Sequence, residues 1–382
     1  ATSRALAERL LDGAMAELSV GPSDGFSTDV GPLIDAAART QIDAYIDAMR
    51  ANRHCVLTRS LPDVCAKGHF VTPTLIEIPS PADLQQEVFG PVLHVVRYAA
   101  RDLDAVLDAI AASGFGLTLG IQSRVDETVT HVVSRLRVGN VYVNRNMIGA
   151  VVGVQPFGGE GLSGTGPKAG GPLAMHRLVH GASAPLLDRP RPPRLALDQL
   201  DGWLAEGAAG LVDEAARGRL QAHLVAYRRA SLAGLVISLD SPTGETNTLI
   251  FAPRGTVLGL ADSAEAWLHQ LTVALASGNR LLLPAGASAE AWLPLLPAGV
   301  IEWVERCLEA PACRCGAVLA GFSDAELIAR WRVVFAERDG PILPFLAASP
   351  AYAIERLIVE RCMTVNTAAT GGNTSLMRLG DA

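Results

Sequence analysis

The chain is 382 residues long, 49% hydrophobic and 19% charged, which excludes a disordered polymer and leaves room for two or three ordinary domains. Its net charge of −7, from 39 acidic against 32 basic residues, gives no basic footprint for nucleic acid. No apolar run reaches the roughly 18 residues that a membrane span requires, and the first residues do not read as a signal peptide.

The first predicted helix runs from Ser3 to Leu18, with Leu6, Leu10, Ala14 and Leu18 on one stripe, and Gly21-Pro22 ends the helical pattern. Further helices are expected over Arg101 to Ser113, through Leu103, Val106, Leu107 and Ile110, and over Val125 to Val138, through Val129, Val132 and Leu136. Between them lie strand-like runs, Val92 to Tyr98, Gly116 to Ser123 and Asn140 to Asn144, so the class is α/β with a mainly parallel sheet. A stretch from Pro185 to Pro193 carries Pro185, Pro190, Pro192 and Pro193, which remove donors and fix φ, and it reads as a linker. Beyond it come a helix-rich stretch to Ala230, strands Leu235 to Leu239, Thr248 to Phe251 and Thr256 to Leu260, a helix Ala264 to Ser277 with Trp267, Leu268, Leu271 and Leu275 on one face, and a strand Arg280 to Leu283. The order strand, helix, strand is a Rossmann-like unit. The expected division is residues 1–184, a linker 185–195, a second domain 196–360 and an extended tail 361–382, of which Thr364 to Met377 is Gly-interrupted.

The six cysteines, Cys55, Cys65, Cys307, Cys313, Cys315 and Cys362, are irregularly spaced, and no His accompanies the last cluster at zinc-finger separation. Reduced thiols in a cytoplasmic protein, with no metal site, are the expectation.

Gly159-Glu-Gly161-Leu-Ser-Gly164 matches the dinucleotide fingerprint, which requires a strand before it and a helix opening on its last glycine. Thr165-Gly-Pro-Lys-Ala-Gly-Gly-Pro172 follows instead, so pyrophosphate binding is not expected there. Such a loop can turn backbone N–H groups towards an anion, with Ser163 adding a hydroxyl, and a substrate carboxylate suits it. A plain tight connection is the alternative.

Six segments in fixed order resemble the aldehyde dehydrogenase superfamily: Asp29-Val-Gly-Pro-Leu-Ile-Asp35, Gly68-His-Phe-Val-Thr-Pro-Thr74, Glu87-Val-Phe-Gly-Pro91, Gly116-Leu-Thr-Leu-Gly120, Gly139-Asn-Val-Tyr-Val-Asn144 and Pro156-Phe-Gly-Gly159. The loop from Pro156 to Gly166 with Gly170-Gly-Pro172 resembles the glutamate semialdehyde branch, and the whole chain resembles the end of the long-form bifunctional proline utilization A family. The resemblance implies oxidation of L-glutamate γ-semialdehyde to glutamate with NAD, by a cysteine thiolate that attacks the aldehyde. It places Glu87 on the nicotinamide ribose and Phe89 against the nicotinamide, and it makes Gly161, Leu162, Ser163 and Gly164 the anchor of the substrate's α-carboxylate.

None of the six cysteines stands in the Gly-Gln-x-Cys setting of the family's nucleophile. The chain starts without Met inside a predicted helix, so it is expected to be a C-terminal fragment, inactive alone, with no catalytic residue of its own and the nucleophile upstream of Ala1. The resemblance also places the main NAD-binding region, and an FAD-dependent proline dehydrogenase part, upstream on the same polypeptide, in a homo-oligomer. Residues 196–360 resemble a degenerate aldehyde dehydrogenase NAD domain: Pro253-Arg-Gly-Thr-Val257 and the run from Ala274 to Pro284 echo its strand, helix, strand unit, but Pro284 stands near the place of its ribose-binding Lys, so NAD is not expected there. A rival expectation is a non-catalytic lid or assembly module of a dehydrogenase complex.

Overall fold

The computed structural model describes residues 2–52, 54–84, 86–178, 189–348 and 350–367, the side chains of residues 2–8 excepted. The chain forms two compact units, Ala1–Ser113 and Gly114–Ala382.

In the first unit, helices α1 (Thr2–Glu17) and α2 (Ala36–Ala51) precede strands β1 (Cys55–Thr58), β2 (Thr74–Glu77) and β3 (Val92–Val95), and α3 (Leu103–Ala112) closes it. The strands form a sheet in the order β1-β2-β3, antiparallel then parallel. Helix α2, which the sequence pattern did not single out, starts on Asp35, whose carboxylate accepts from the Ala38 N–H, and buries Ile42 and Ile46 at i, i+4. The expected stripe on α1 is corrected. Leu10, Ala14 and Leu18 are exposed and Met15 is buried, because the inward row is offset by one residue and runs through Leu11 and Met15.

The second unit opens with β4 (Phe115–Gly116), β5 (Thr118–Ile121), α4 (Asp126–Arg135), β6 (Asn140–Val143) and β7 (Glu160–Gly161). Then come α5 (Leu195–Ala205), α6 (Glu214–Ala230), β8 (Val236–Leu239), β9 (Glu245–Pro253), β10 (Thr256–Leu260), α7 (Ala264–Ala276), β11 (Arg280–Pro284), α8 (Ala298–Ile301), β12 (Val304–Cys307), β13 (Ala317–Ala320), α9 (Ala325–Ala336), β14 (Phe345–Ala347) and β15 (Ile358–Asn366). One sheet is wholly parallel in the order β12-β11-β10-β13-β14, the α/β arrangement expected around the strand, helix, strand unit. Ser263 caps α7 by accepting from Ala266 N–H. Helix α7 is buried on every side from Trp267 to Ala276, not on one face alone, because it packs on β10 and β11 with α5 and α6 behind it. The other sheet has the order β5-β6-β15-β9-β8. Its first three strands are parallel and its last two pairings antiparallel, so Cys362 to Val365 pair with Asn140 to Val143 from far earlier in the chain.

The compact units therefore divide at residue 113, and this sheet joins strands from both sides of the Pro-rich stretch. Residues 179–188, and with them positions 185–188 of that stretch, lie outside the described residues, as do residues 368–382 of the expected tail; Thr364, Val365 and Asn366 of that tail are the end of β15. The expectation of reduced thiols fails for one pair. Cys307 at the end of β12 and Cys313 after a turn over Ala310–Ala312 form a disulfide, the turn bringing their Cα atoms to 5.9 Å. Cys55, Cys65, Cys315 and Cys362 are free thiols.

The core of the parallel sheet encloses a polar stack. His269 on α7 lies 4.0 Å from His223 between ring centroids, and its Nε2 is 2.7 Å from the Tyr227 hydroxyl, both partners being on α6. Burial first, then the neighbouring His223, pushes His269 down to about 3, while Glu265 pulls the other way. The folded state thus refuses a proton that the unfolded chain takes up near the ordinary value of 6.5. This contribution to stability is intact above 6.5 and is lost progressively as pH falls towards 3. We expect the unfolding temperature of the wild type to fall more steeply between pH 6.5 and 4 than that of His269→Asn, measured by circular dichroism; parallel curves would exclude His269 as the source.

Candidate functional site

The glycine-rich loop is fixed from both ends of the second unit. Phe157 pairs with Ala169 across an antiparallel bridge, and β4 pairs with β7. Asn140, buried in β6, donates from Nδ2 to Pro156 O at 3.0 Å and accepts at Oδ1 from Gly158 N–H at 3.2 Å. The Lys168 ammonium donates to that same Oδ1 and to Gly158 O, each at 2.6 Å. Lys168 is only 3% exposed, and burial lowers its pKa to about 8 against the opposing pull of Cys362, Glu360 and Glu160. Glu360 accepts from the Lys168 and Leu173 backbone N–H groups, while burial raises its pKa.

Glu160 is nearly buried and accepts from two nitrogens of Arg361 on β15, with Arg137 Nε at 3.7 Å. At the next residue the chain enters the left-handed region, Gly161 having φ 64°, and a Cβ there would stand 2.3 Å from Gly114 O. No helix opens on Gly164, and none lies between it and Pro172, as the departure from the dinucleotide fingerprint implied.

The structure brings Gly161, Leu162, Ser163 and Gly164 together in one exposed turn, with Ser163 half-buried. Its backbone donors are partly committed: Leu162 N–H donates to Gly114 O at 2.9 Å and Ser163 N–H to Glu160 O at 3.1 Å. The Ser163 hydroxyl accepts from Gly116 N–H at 3.0 Å, which fixes the oxygen and leaves its own O–H to donate. Glu160, Lys168, Asn140 and Arg361 were not singled out from the sequence. Lys168 alone carried a signal, as one of two lysines in the chain and the one inside the glycine-rich loop.

Glu87 and Phe89 lie in the first unit, on a loop facing α2. The loop approaches the helix closely, since a Cβ on Gly90 would stand 2.4 Å from Ile42 Cδ1. Between them is an open groove of about 400 Å³ whose wall includes Gln41, Tyr45, Glu87 and Phe89. The Tyr45 hydroxyl is 2.7 Å from His94 Nε2, which fixes the ring at the groove's edge. Glu87 is exposed, and the Phe89 ring is 86% exposed, so an incoming planar ring would meet an uncovered aromatic face.

Residues 3–180 match the Aldehyde dehydrogenase family. The chain as a whole is similar to the Bifunctional protein PutA of Escherichia coli (strain K12), 43% identical over 97% of this chain and 29% of that protein, and to the protein of the same name from Rhizobium meliloti, 42% identical over 93% of this chain. It is also 37% identical over 42% of its length to a 1-pyrroline-5-carboxylate dehydrogenase of Geobacillus sp. (strain WCH70). Among solved structures, Proline Utilization A (PutA) from Corynebacterium freiburgense has the same fold over 93% of this chain and 33% of its own, with a TM-score of 0.62 at 20% identity. The chain thus spans about 29% of the length of the first two relatives. Among the described residues no helix is long and apolar enough to cross a membrane.

Proposed function

We propose that this chain is the C-terminal part of the L-glutamate γ-semialdehyde dehydrogenase of a bifunctional proline-catabolic enzyme, an NAD-dependent oxidoreductase of the cytoplasm. The observation that carries the reading is the Ser163 hydroxyl, held by Gly116 N–H in an exposed glycine turn, which leaves its own O–H available to donate. A substrate bearing a carboxylate at the end remote from its aldehyde suits that donor, and anchoring the far end lowers the entropic cost of attack on the aldehyde carbon. The identity of 43% to a bifunctional relative, and of 37% to a pyrroline-5-carboxylate dehydrogenase, supports the same substrate.

The groove of about 400 Å³ fits the nicotinamide end of NAD by its chemistry: an open carboxylate for ribose hydroxyls in Glu87 and an uncovered ring in Phe89. NAD, when bound, supplies the hydride acceptor. The residues of this chain bind and orient: Glu87 and Phe89 hold the cofactor, and Gly161, Leu162, Ser163 and Gly164 hold the substrate. Buried Lys168 and Asn140 fix the loop from below.

The thiol nucleophile is, on this reading, contributed by polypeptide outside these residues, and the chain alone turns over no aldehyde. Cys307 and Cys313 are tied to each other, burial pushes the thiols of Cys315 and Cys362 up, away from the thiolate, and none of the six has the family's nucleophile setting. A flavin-dependent proline dehydrogenase part and the main NAD-binding region belong to the same outside polypeptide, in a homo-oligomer. The segments 1–184 and 196–360, with linker 185–195 and tail 361–382, are then divisions of ancestry rather than of compactness.

In the complete dehydrogenase, Ser163→Ala should raise KM for the semialdehyde by the equivalent of roughly 1 to 3 kcal/mol while kcat changes little, the signature of lost ground-state and transition-state binding together. Steady-state kinetics, with the unfolding temperature recorded alongside to register the lost Gly116 contact, decides it. An unchanged KM retires the carboxylate role.

A further inference from the structure

On another side of the glycine-rich loop lies a small cavity of about 30 Å³, open to solvent, whose wall includes Gly164, Thr165, Arg177, Arg254 and Glu355 but not Gly161, Leu162 or Ser163. Two arginines from separate parts of the chain, Arg177 and Arg254, line it. Arg254, just beyond β9, donates from Nε to Arg356 O at 2.6 Å and from Nη2 to Thr165 O at 3.3 Å, so both bonds go to neutral carbonyls. Arg177 is exposed, and its guanidinium has no hydrogen bond or ion pair among the described residues.

Charge around the cavity is unbalanced. Arg356 adds a third guanidinium, whose Nε is buried without a partner among the described residues. Of the acids nearby, Glu160 is already taken by Arg361 and Arg137, and Glu360 by the backbone N–H groups of Lys168 and Leu173. Among the described residues that line the cavity, that leaves Glu355 to balance Arg177 and Arg254, with Arg356 beside them. Like charges gathered with so little compensation are costly in a partly buried place, and the cost shows: burial first, then Arg177, Arg137 and Arg356, lower the pKa of Arg254 to about 10 against Glu160. A bound anion would remove that cost.

We propose that this cavity is a binding site for the oxyanion end of a small ligand, a carboxylate or a phosphate group, held between Arg177 and Arg254. Its volume of about 30 Å³ admits about two water-sized oxygens at the 10 to 15 Å³ that each requires. That is the head group of such a ligand, with the remainder in solvent. Planar guanidinium forks suit two oxygens of one group. Because Arg254 also holds Thr165 O, an occupied site would tie β9 to the glycine-rich loop.

The test is isothermal titration calorimetry on the 382-residue chain at constant sodium chloride, with inorganic phosphate and L-glutamate as separate probes. Saturable one-to-one binding of phosphate is expected, at least tenfold weaker in Arg177→Gln and in Arg254→Gln and unchanged in Ser163→Ala; glutamate, the product of the proposed reaction, can also enter the glycine turn, and only the binding that Ser163→Ala retains and Arg177→Gln loses is assigned to this cavity. Arg177 is exposed and unpartnered among the described residues, so its variant keeps the test valid if Arg254→Gln does not fold. Binding of phosphate alone assigns the site to phosphate groups, and tighter binding of glutamate assigns it to carboxylates. The proposal is overturned if neither probe binds saturably, if Arg177→Gln binds both as the wild type does, or if Ser163→Ala abolishes the binding of phosphate as well as of glutamate, which would put the anion in the glycine turn.

Discussion

Gly139→Ala is expected to destabilise the protein by about 4 kcal/mol or more, enough to leave little folded material. A Cβ at this position would stand 1.9 Å from Gly158 O and 2.9 Å from both Gly158 C and Gly159 Cα, all backbone atoms. Neither side can retreat. Gly139 donates to Gly116 O at 3.0 Å and accepts from Cys362 N–H at 2.8 Å, which locks it into the sheet, while Gly158 O accepts from Lys168 Nζ and Gly158 N–H donates to Asn140. Overpacking ordinarily costs less because side chains shift, and here there is none to shift. Gly202, inside α5 and with nothing within 4 Å of its Cβ position, supplies the contrast: Gly202→Ala should stabilise by about 0.5 to 1 kcal/mol through helix propensity. Urea denaturation midpoints of the two variants should therefore move in opposite directions. A Gly139→Ala protein within 1 kcal/mol of the wild type would mean that the close contact of Gly139 with the loop does not exist in solution.

What the sequence pattern carried were the features written in neighbouring residues. Trp267, Leu268, Leu271 and Leu275 announce a helix between two apolar strands, and α7 stands there between β10 and β11. The turn chemistry after Gly164 argued against a phosphate-binding helix, and no helix follows. Helix α2 could have been found from Asp35 with Ile42 and Ile46, but its alanines at positions 36, 37, 38, 44, 48 and 51 blur the contrast between its faces. The stripe on α1 failed by one residue, because two adjacent i, i+4 rows, one through Leu10 and Ala14 and one through Leu11 and Met15, serve equally well on paper.

The site's supports are of another kind. Glu160 meets Arg361 across a sequence separation of 201, and β15 joins β6 by backbone hydrogen bonds that carry no residue signature. Lys168 stands in the sequence between glycines with no reading of its own, and only the folded chain shows its ammonium turned inward onto Asn140 and Gly158 O. Local pattern could single out the glycine turn as a candidate anion loop. It could not say what holds the turn in place, since those partners are brought in by the register of a sheet.

That dependence makes Arg361→Met the second large effect we expect, about 3 to 5 kcal/mol. The substitution keeps most of the side-chain volume and strands Glu160, whose side chain is 10% exposed, with only Arg137 Nε at 3.7 Å. Losing one partner of a buried pair costs more than losing both, because the remaining charge cannot be resolvated. The double variant Glu160→Gln with Arg361→Met should therefore recover a substantial part of the loss, and a double-mutant cycle read by urea denaturation measures the coupling. Additive losses would show that Arg361 contributes by packing alone. Glu160 immediately precedes the turn at Gly161, so Arg361→Met in the complete dehydrogenase should also raise KM for the semialdehyde more than it lowers kcat. Arg361 is in this sense a positioning residue: it reaches the proposed substrate loop from β15, through one carboxylate, and touches none of the proposed ligands itself.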